Sequence, residues 1–159
     1  MPDMHQRFRG SDELLAEYGL SIGLPDLAFD PDGEVVIEFG DVPVCIVAGD
    51  EETGFAVKAH VHVPETLPQE AFAGYVAMRN AVMMSQGMGI VALDDDSGWI
   101  WTDRIEPARL TPARLHERLL RVTRNAAYWQ ATIDTLALAA ASAGTEAPPP
   151  ADPSLIIRA

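Results

Sequence analysis

The 159-residue sequence predicts an α+β domain in the order helix, three-strand antiparallel meander, helix, β-hairpin, helix. Three observations carry this. Apolar residues recur at helical spacing in three separate segments, they alternate with period two in the segments between, and Gly, Pro or Asp marks each change of period. A chain of this size ordinarily builds one hydrophobic core. With 48% hydrophobic and 22% charged residues, its composition is that of a globular protein rather than a disordered or fibrous one.

The first helix opens at Ser11, whose hydroxyl can cap free amides, followed by Asp12 and Glu13 at the positive end of the helix dipole. Leu14, Leu15, Tyr18 and Ile22 then follow helical spacing, and Gly23 and Pro25 stop it. From Leu27 to Val63 the period is two: Val35, Ile37 and Phe39, then Val42, Val44 and Ile46, then Phe55, Val57, Ala59, Val61 and Val63. The turns are Asp30-Pro31-Asp32-Gly33, Gly40-Asp41 and the run from Gly49 to Gly54, short enough for an antiparallel meander.

Pro68 starts the second helix, which runs to about Met84 and is apolar on two sides, with Phe72, Tyr75, Val76 and Met83 joined by Met78 and Val82. Gly87-Met88-Gly89 breaks it. Ile90 to Leu93 and Trp99 to Asp103 then form a hairpin around Asp94-Asp95-Asp96-Ser97-Gly98. The last helix opens at Thr111-Pro112 and carries one stripe, Leu115, Leu119, Val122, Ala126, Trp129, Ile133 and Leu136. Residues 1–10 are expected to be a flexible start, 11–141 the single domain, and 142–159 a disordered Pro-rich tail with Leu155-Ile156-Ile157-Arg158 near its end.

The chain carries 11 basic and 24 acidic residues, a net charge of −13. Residues 1–50 hold 2 basic and 11 acidic side chains, residues 51–103 hold 2 and 8, and residues 104–159 hold 7 and 5. Such a field repels phosphate backbones and anionic lipid, which argues against nucleic-acid and membrane partners. Cys45 is the single cysteine, so no intramolecular disulfide or multi-cysteine metal site can form. With no signal-like start and no stretch of the roughly 20 apolar residues a bilayer requires, the sequence reads as cytoplasmic.

Candidate chemistry is thin. His60 and His62 alternate on a strand as two metal ligands would, but no third ligand stands at a recognisable spacing, so neither metal nor cofactor is expected. From Asp94 the glycine is fifth and the twelfth residue is Ile105, which departs from a calcium loop. Gly87-Met88-Gly89 leaves a helix and enters a strand, the reverse of a phosphate cradle. Cys45 has no histidine or cationic neighbour in sequence to activate it, and no Gly-x-Ser-x-Gly elbow occurs, so an enzyme is not expected. What stands out is grease on both faces of the strands. Cys45 and Val47 oppose Val44 and Ile46, and Val91 and Leu93 oppose Ile90 and Ala92. Either the sheet is covered on both sides within the monomer, or its second face meets another chain.

The run Leu14-Leu15-Ala16-Glu17-Tyr18-Gly19-Leu20, continuing through Gly23-Leu24-Pro25-Asp26-Leu27 and Phe29-Asp30-Pro31-Asp32-Gly33, resembles the opening of the class I type III secretion chaperones, the Tir-chaperone-like family. Leu67-Pro68 before a helix ending near Asn80, Gly89-Ile90-Val91-Ala92-Leu93-Asp94 into Ser97-Gly98, and Tyr128-Trp129 in the closing helix are similar to its later landmarks. The resemblance covers roughly residues 11 to 137, while His60-Val61-His62-Val63 and the tail depart from it. It implies a homodimer of an α/β sandwich-like domain in the bacterial cytoplasm. Such a protein binds the N-terminal segment of a secreted effector without ATP, keeps it soluble and presents it to the secretion apparatus.

On that basis Leu14, Tyr18, Val36, Cys45 and Val47 are the expected partner contacts. The expected dimer seam is Tyr75, Met78, Val82 and Met83, with Trp99 and Trp101 nearby. For every one of these positions the alternative is ordinary monomer core. A different reading of size and acidity is an immunity or inhibitor protein that covers the basic site of a folded toxin domain.

Overall fold

The computed structural model describes residues 9–49, 54–106 and 110–143. Its elements are α1 (Arg9–Ser21), β1 (Glu34–Phe39), β2 (Val42–Val47), β3 (Phe55–His60), α2 (Gln69–Ser85), β4 (Ile90–Asp94), β5 (Gly98–Ile105) and α3 (Pro112–Ala143). This is the α+β order expected from the sequence. The strands form one antiparallel sheet in the order β1-β2-β3-β5-β4, which leaves β1 and β4 as its edges.

Local chemistry sets these boundaries. Gly40 has φ of 63°, as a two-residue hairpin turn between Phe39 and Val42 requires. In the β4–β5 turn one oxygen of Asp94 accepts from the Ser97 N–H at 2.9 Å and from the Asp96 N–H at 3.2 Å. These bonds, the one from Ser97 foremost, hold the Asp94 carboxyl below its ordinary pKa. Thr111 caps α3 through its hydroxyl, which accepts from the Arg114 N–H at 3.3 Å.

Cross-strand register divides the sheet into two unlike faces. On one lie Val35, Ile37 and Phe39 of β1, opposite Ile46, Val44 and Val42 of β2. Val44 and Ile46 in turn face Ala59 and Val57, and Ala59 faces Trp101, which faces Val91. The core joins these side chains to Leu14, Leu15 and Tyr18 of α1, Phe72, Val76 and Met83 of α2, and the α3 stripe from Leu115 to Ile133. All three helices therefore pack on the same face. Two aromatic contacts fasten α2 there: Phe72 meets Trp99 edge-on at 4.9 Å between ring centroids, and Tyr75 meets Trp129 at 6.1 Å.

Three expectations change. Helix α1 begins at Arg9, and Ser11 is a buried member of the inward row Ser11, Leu14, Leu15, Tyr18 rather than a cap. Strand β3 stops at His60 instead of Val63: the Val61 N–H still donates to the Trp99 carbonyl at 3.0 Å, and Gln130 of α3 then takes up the His62 backbone. Its Oε1 accepts from the His62 N–H at 2.8 Å, and its Nε2 donates to the His62 carbonyl at 3.0 Å. Strand β5 runs on to Ile105, which pairs with Phe55. The expected flexible start up to residue 8, the turn at 50–53 and the tail from residue 144 lie outside the described residues.

Candidate partner-binding surfaces

The face of the sheet without helices is where the sequence's surplus grease ends up. Val36 lies directly across from Cys45, and Val47 lies between Glu34 and Ala56. The three expected contacts on the strands thus form one patch on β1 and β2. Val36 is 61% exposed, while Cys45 and Val47 are half-buried by their neighbours. The same face continues across Lys58 and Thr102, which are paired, to Ile90 and Ala92. Lys58 reaches Asp94 at 3.4 Å across the intervening β5. Ile100, on that strand, is buried at 5% yet stands apart from the main core. Its apolar positions are flanked by Glu34, Glu38, Lys58 and Asp94.

Cys45 sits between Val36 of β1 and Lys58 of β3. Burial and the neighbouring Glu34 carboxylate push its thiol pKa up, and the Sγ–Glu34 distance is 3.8 Å. Among the described residues no group of three metal-ligating side chains occurs, and His62 is held through its backbone away from the strand that carries His60. The surface offers shape, apolar area and backbone hydrogen bonds.

Those backbone groups differ between the two edges. The Ala48 N–H donates to the Gly33 carbonyl at 2.8 Å. By alternation Val35, Ile37 and Phe39 then bond to β2, while Glu34, Val36 and Glu38 turn their N–H and C=O outward. Asp30 occupies the outward groups of Glu34, since its carboxylate accepts from the Glu34 N–H at 2.8 Å and its N–H donates to the Glu34 carbonyl at 2.8 Å. Among the described residues Val36 and Glu38 remain open along β1. At β4 the outward groups of Val91 are filled from within the chain, while Leu93, two residues on, turns the same way. Asn80, inside α2, accepts from the Val91 N–H at 3.0 Å and donates to the Val91 carbonyl at 2.7 Å, filling the place of a neighbouring strand.

A second exposed surface runs along α2. Tyr75, Met78 and Val82 follow i, i+3, i+7 spacing; Met78 is 63% and Val82 48% exposed, with Tyr75 half-buried against Trp129. The other expected site residues lie elsewhere. Leu14, Tyr18, Met83 and Trp101 are buried in the core between the helices and the sheet. Trp99 is half-buried on Phe72, and its indole N–H donates to Gln69 at 3.2 Å. Sequence reading passed over Asn80. Its signal is a lone amide within a helix, opposite a strand edge in need of partners.

The model of the Tir chaperone protein (CesT) family matches residues 13–130. Comparison with curated proteins returns no match. Three solved structures are similar in fold. The ExsC-ExsE complex gives a TM-score of 0.67 at 24% identity, covering 79% of this chain and 94% of that chain. The HopA1-SchA chaperone-effector complex gives 0.64 at 16%, covering 82% and 98%. The Yersinia pestis type III secretion chaperone SycH, in complex with a stable fragment of YscM2, gives 0.57 at 16%, covering 74% and 97%.

Proposed function

Because the chain belongs to the Tir chaperone protein (CesT) family, we propose that it binds the N-terminal segment of a secreted effector, holds it extended and soluble without ATP, and presents it to a type III secretion apparatus. The observation that carries this reading is the helix-free sheet face, where Val36, Cys45 and Val47 form an apolar patch beside the open β1 edge. An extended client that pairs with Val36 and Glu38 adds a sixth strand, and its alternate side chains fall on that patch. The chaperone-effector complex among the fold neighbours supports such a partner. No helix among the described residues is long and apolar enough to cross a membrane, in keeping with a partner met in water.

In the same proposal two copies associate through the α2 stripe of Tyr75, Met78 and Val82, with Met83 and Trp101 supporting it from behind. Exposed side chains of that size at helical spacing are what a helix-to-helix seam requires. The net charge of −13 keeps a protein with two exposed apolar surfaces in solution.

Co-expression with the genes beside its own, followed by size-exclusion chromatography with light scattering, tests the proposal. Two copies of this chain with one larger protein, released when that protein's N-terminal region is deleted, is the expected result. A one-to-one complex with a folded domain, insensitive to the deletion, overturns it in favour of an inhibitor.

A further inference from the structure

The open edge at β1 is bounded by charge of one sign. From Gly10 to Val57 the chain contains no Lys or Arg, against twelve Asp and Glu. Two of these, Glu34 and Glu38, flank Val36 on the helix-free face, because residues two apart on a strand share a face. Val36 and Glu38 are exposed and Glu34 is half-buried. Asp41 follows in the turn to β2, and Asp30 and Asp32 stand at the opposite end of the edge. Neither of the two ion pairs among the described residues involves any of these carboxylates.

Asp30 also limits how far an added strand can run. Its carboxylate accepts from the Glu34 N–H at 2.8 Å and its own N–H donates to the Glu34 carbonyl at 2.8 Å, so the outer side of Glu34 is already paired. An arriving chain finds Val36 and Glu38 to bond with, and at Glu34 it has to turn away beside Asp30. The paired stretch is short. With few backbone bonds available, the side chains that come to lie opposite β1 decide between one client and another.

We infer that the β1 edge selects client segments in which basic side chains bracket a short apolar run. One basic side chain lies opposite Glu38, an apolar one opposite Val36, and a second basic one reaches Asp30 and Glu34 where the segment leaves the edge. The residues between them turn to the other face, beside Val35, Ile37 and Phe39, and are apolar as well. A second copy fits worse than a client. Two β1 edges paired antiparallel about Val36 set Glu34 against Glu38 twice, and like charges directly opposite are destabilising. The inference rests on the reading of this protein as a binder of extended clients at β1, and adds the register and charge pattern of the segment bound.

The test is a titration of the full ¹⁵N-labelled chain with acetyl-Ser-Lys-Ile-Val-Ile-Lys-Ser-amide, which reads the same in both strand directions, and with counterparts carrying Glu or Thr in place of Lys. The Val36 and Glu38 amide signals are expected to move with the Lys peptide. The Glu peptide is expected to bind about tenfold more weakly at low salt, with the Thr peptide between them. That gap narrows as ionic strength rises. Glu38→Lys, at an exposed position, is expected to weaken the Lys peptide by about fivefold and to strengthen the Glu peptide, a reversal that a damaged fold does not produce. Equal binding of the three peptides overturns the inference, and so do signals that stay fixed at millimolar Lys peptide. Val36 and Glu38 amides already protected from hydrogen exchange in the free chain also overturn it. Protection that fades on dilution assigns the edge to a second copy, and protection that persists assigns it to another segment of this chain. A co-expressed client separates this failure from that of the parent reading. If Val47→Asp releases the client and Glu38→Lys leaves its retention unchanged, the charge pattern falls and the chaperone stands. A chain that retains no extended client at all removes both.

Discussion

Tyr18 shows how one side chain moves from an expected contact to a structural role. Its ring is fully buried, its hydroxyl shares a hydrogen bond of 3.0 Å with His116 Nδ1, and burial raises its pKa above 10.0. The unfolded chain loses that phenolic proton near pH 10 while the folded one keeps it. The stability that Tyr18 contributes is therefore complete below pH 10 and declines as pH rises toward the folded value. In urea titrations Tyr18→Phe is expected to cost about 1 kcal/mol at pH 7 and to fall off less steeply above pH 10, so that the two curves converge. Val47 has the opposite character. Val47→Asp places a carboxylate on the open sheet face, and the thermal midpoint is expected to stay within a few degrees while client capture is lost. The alternation of Cys45 and Val47 against Val44 and Ile46 was legible in the sequence, and so was the existence of a second apolar face. Which of Leu14, Tyr18 and Val36 reached the surface was not, because an amphipathic helix records that a face is buried and not by what.

At the scale of elements the two sheet edges differ, and each difference has a test. Val36 turns its N–H away from β2, so Val36→Pro removes no ladder bond and is tolerated as an edge proline. It does block strand addition. Client affinity is expected to drop by about tenfold or more with little change in melting temperature, measured by calorimetry alongside thermal unfolding. Asn80→Ala leaves the Val91 N–H and carbonyl unpaired between α2 and β4. A loss of about 1–3 kcal/mol is expected, together with faster amide exchange at Val91 relative to Val57 in the centre of the sheet. Periodicity located all three helices and all five strands to within a few residues. It missed the early end of β3, since the Gln130 side chain that holds the backbone beyond it lies in a distant helix and no local pattern announces such a bond.

At the scale of the whole molecule, the order of elements and the acidic balance were legible in the sequence, whereas the placement of α1, α2 and α3 on one side followed only from cross-strand register. That asymmetry leaves two separate apolar surfaces, the sheet face and the α2 stripe, and the proposed roles assign one to the client and the other to a second copy. Val82→Asp is expected to halve the mass seen by light scattering while client binding to the sheet face persists in the monomer. A stable monomer in the parent protein at micromolar concentration would remove the α2 seam. The Asn80 clamp has a further consequence for crowded solution. Head-to-tail growth of sheets into a fibre needs two receptive edges on every molecule, and on β4 Asn80 already occupies the outward backbone of Val91, leaving Leu93 beyond it. A strand arriving at β4 therefore meets a bonding position already taken from within the chain, and growth through that edge is disfavoured while β1 stays available to others.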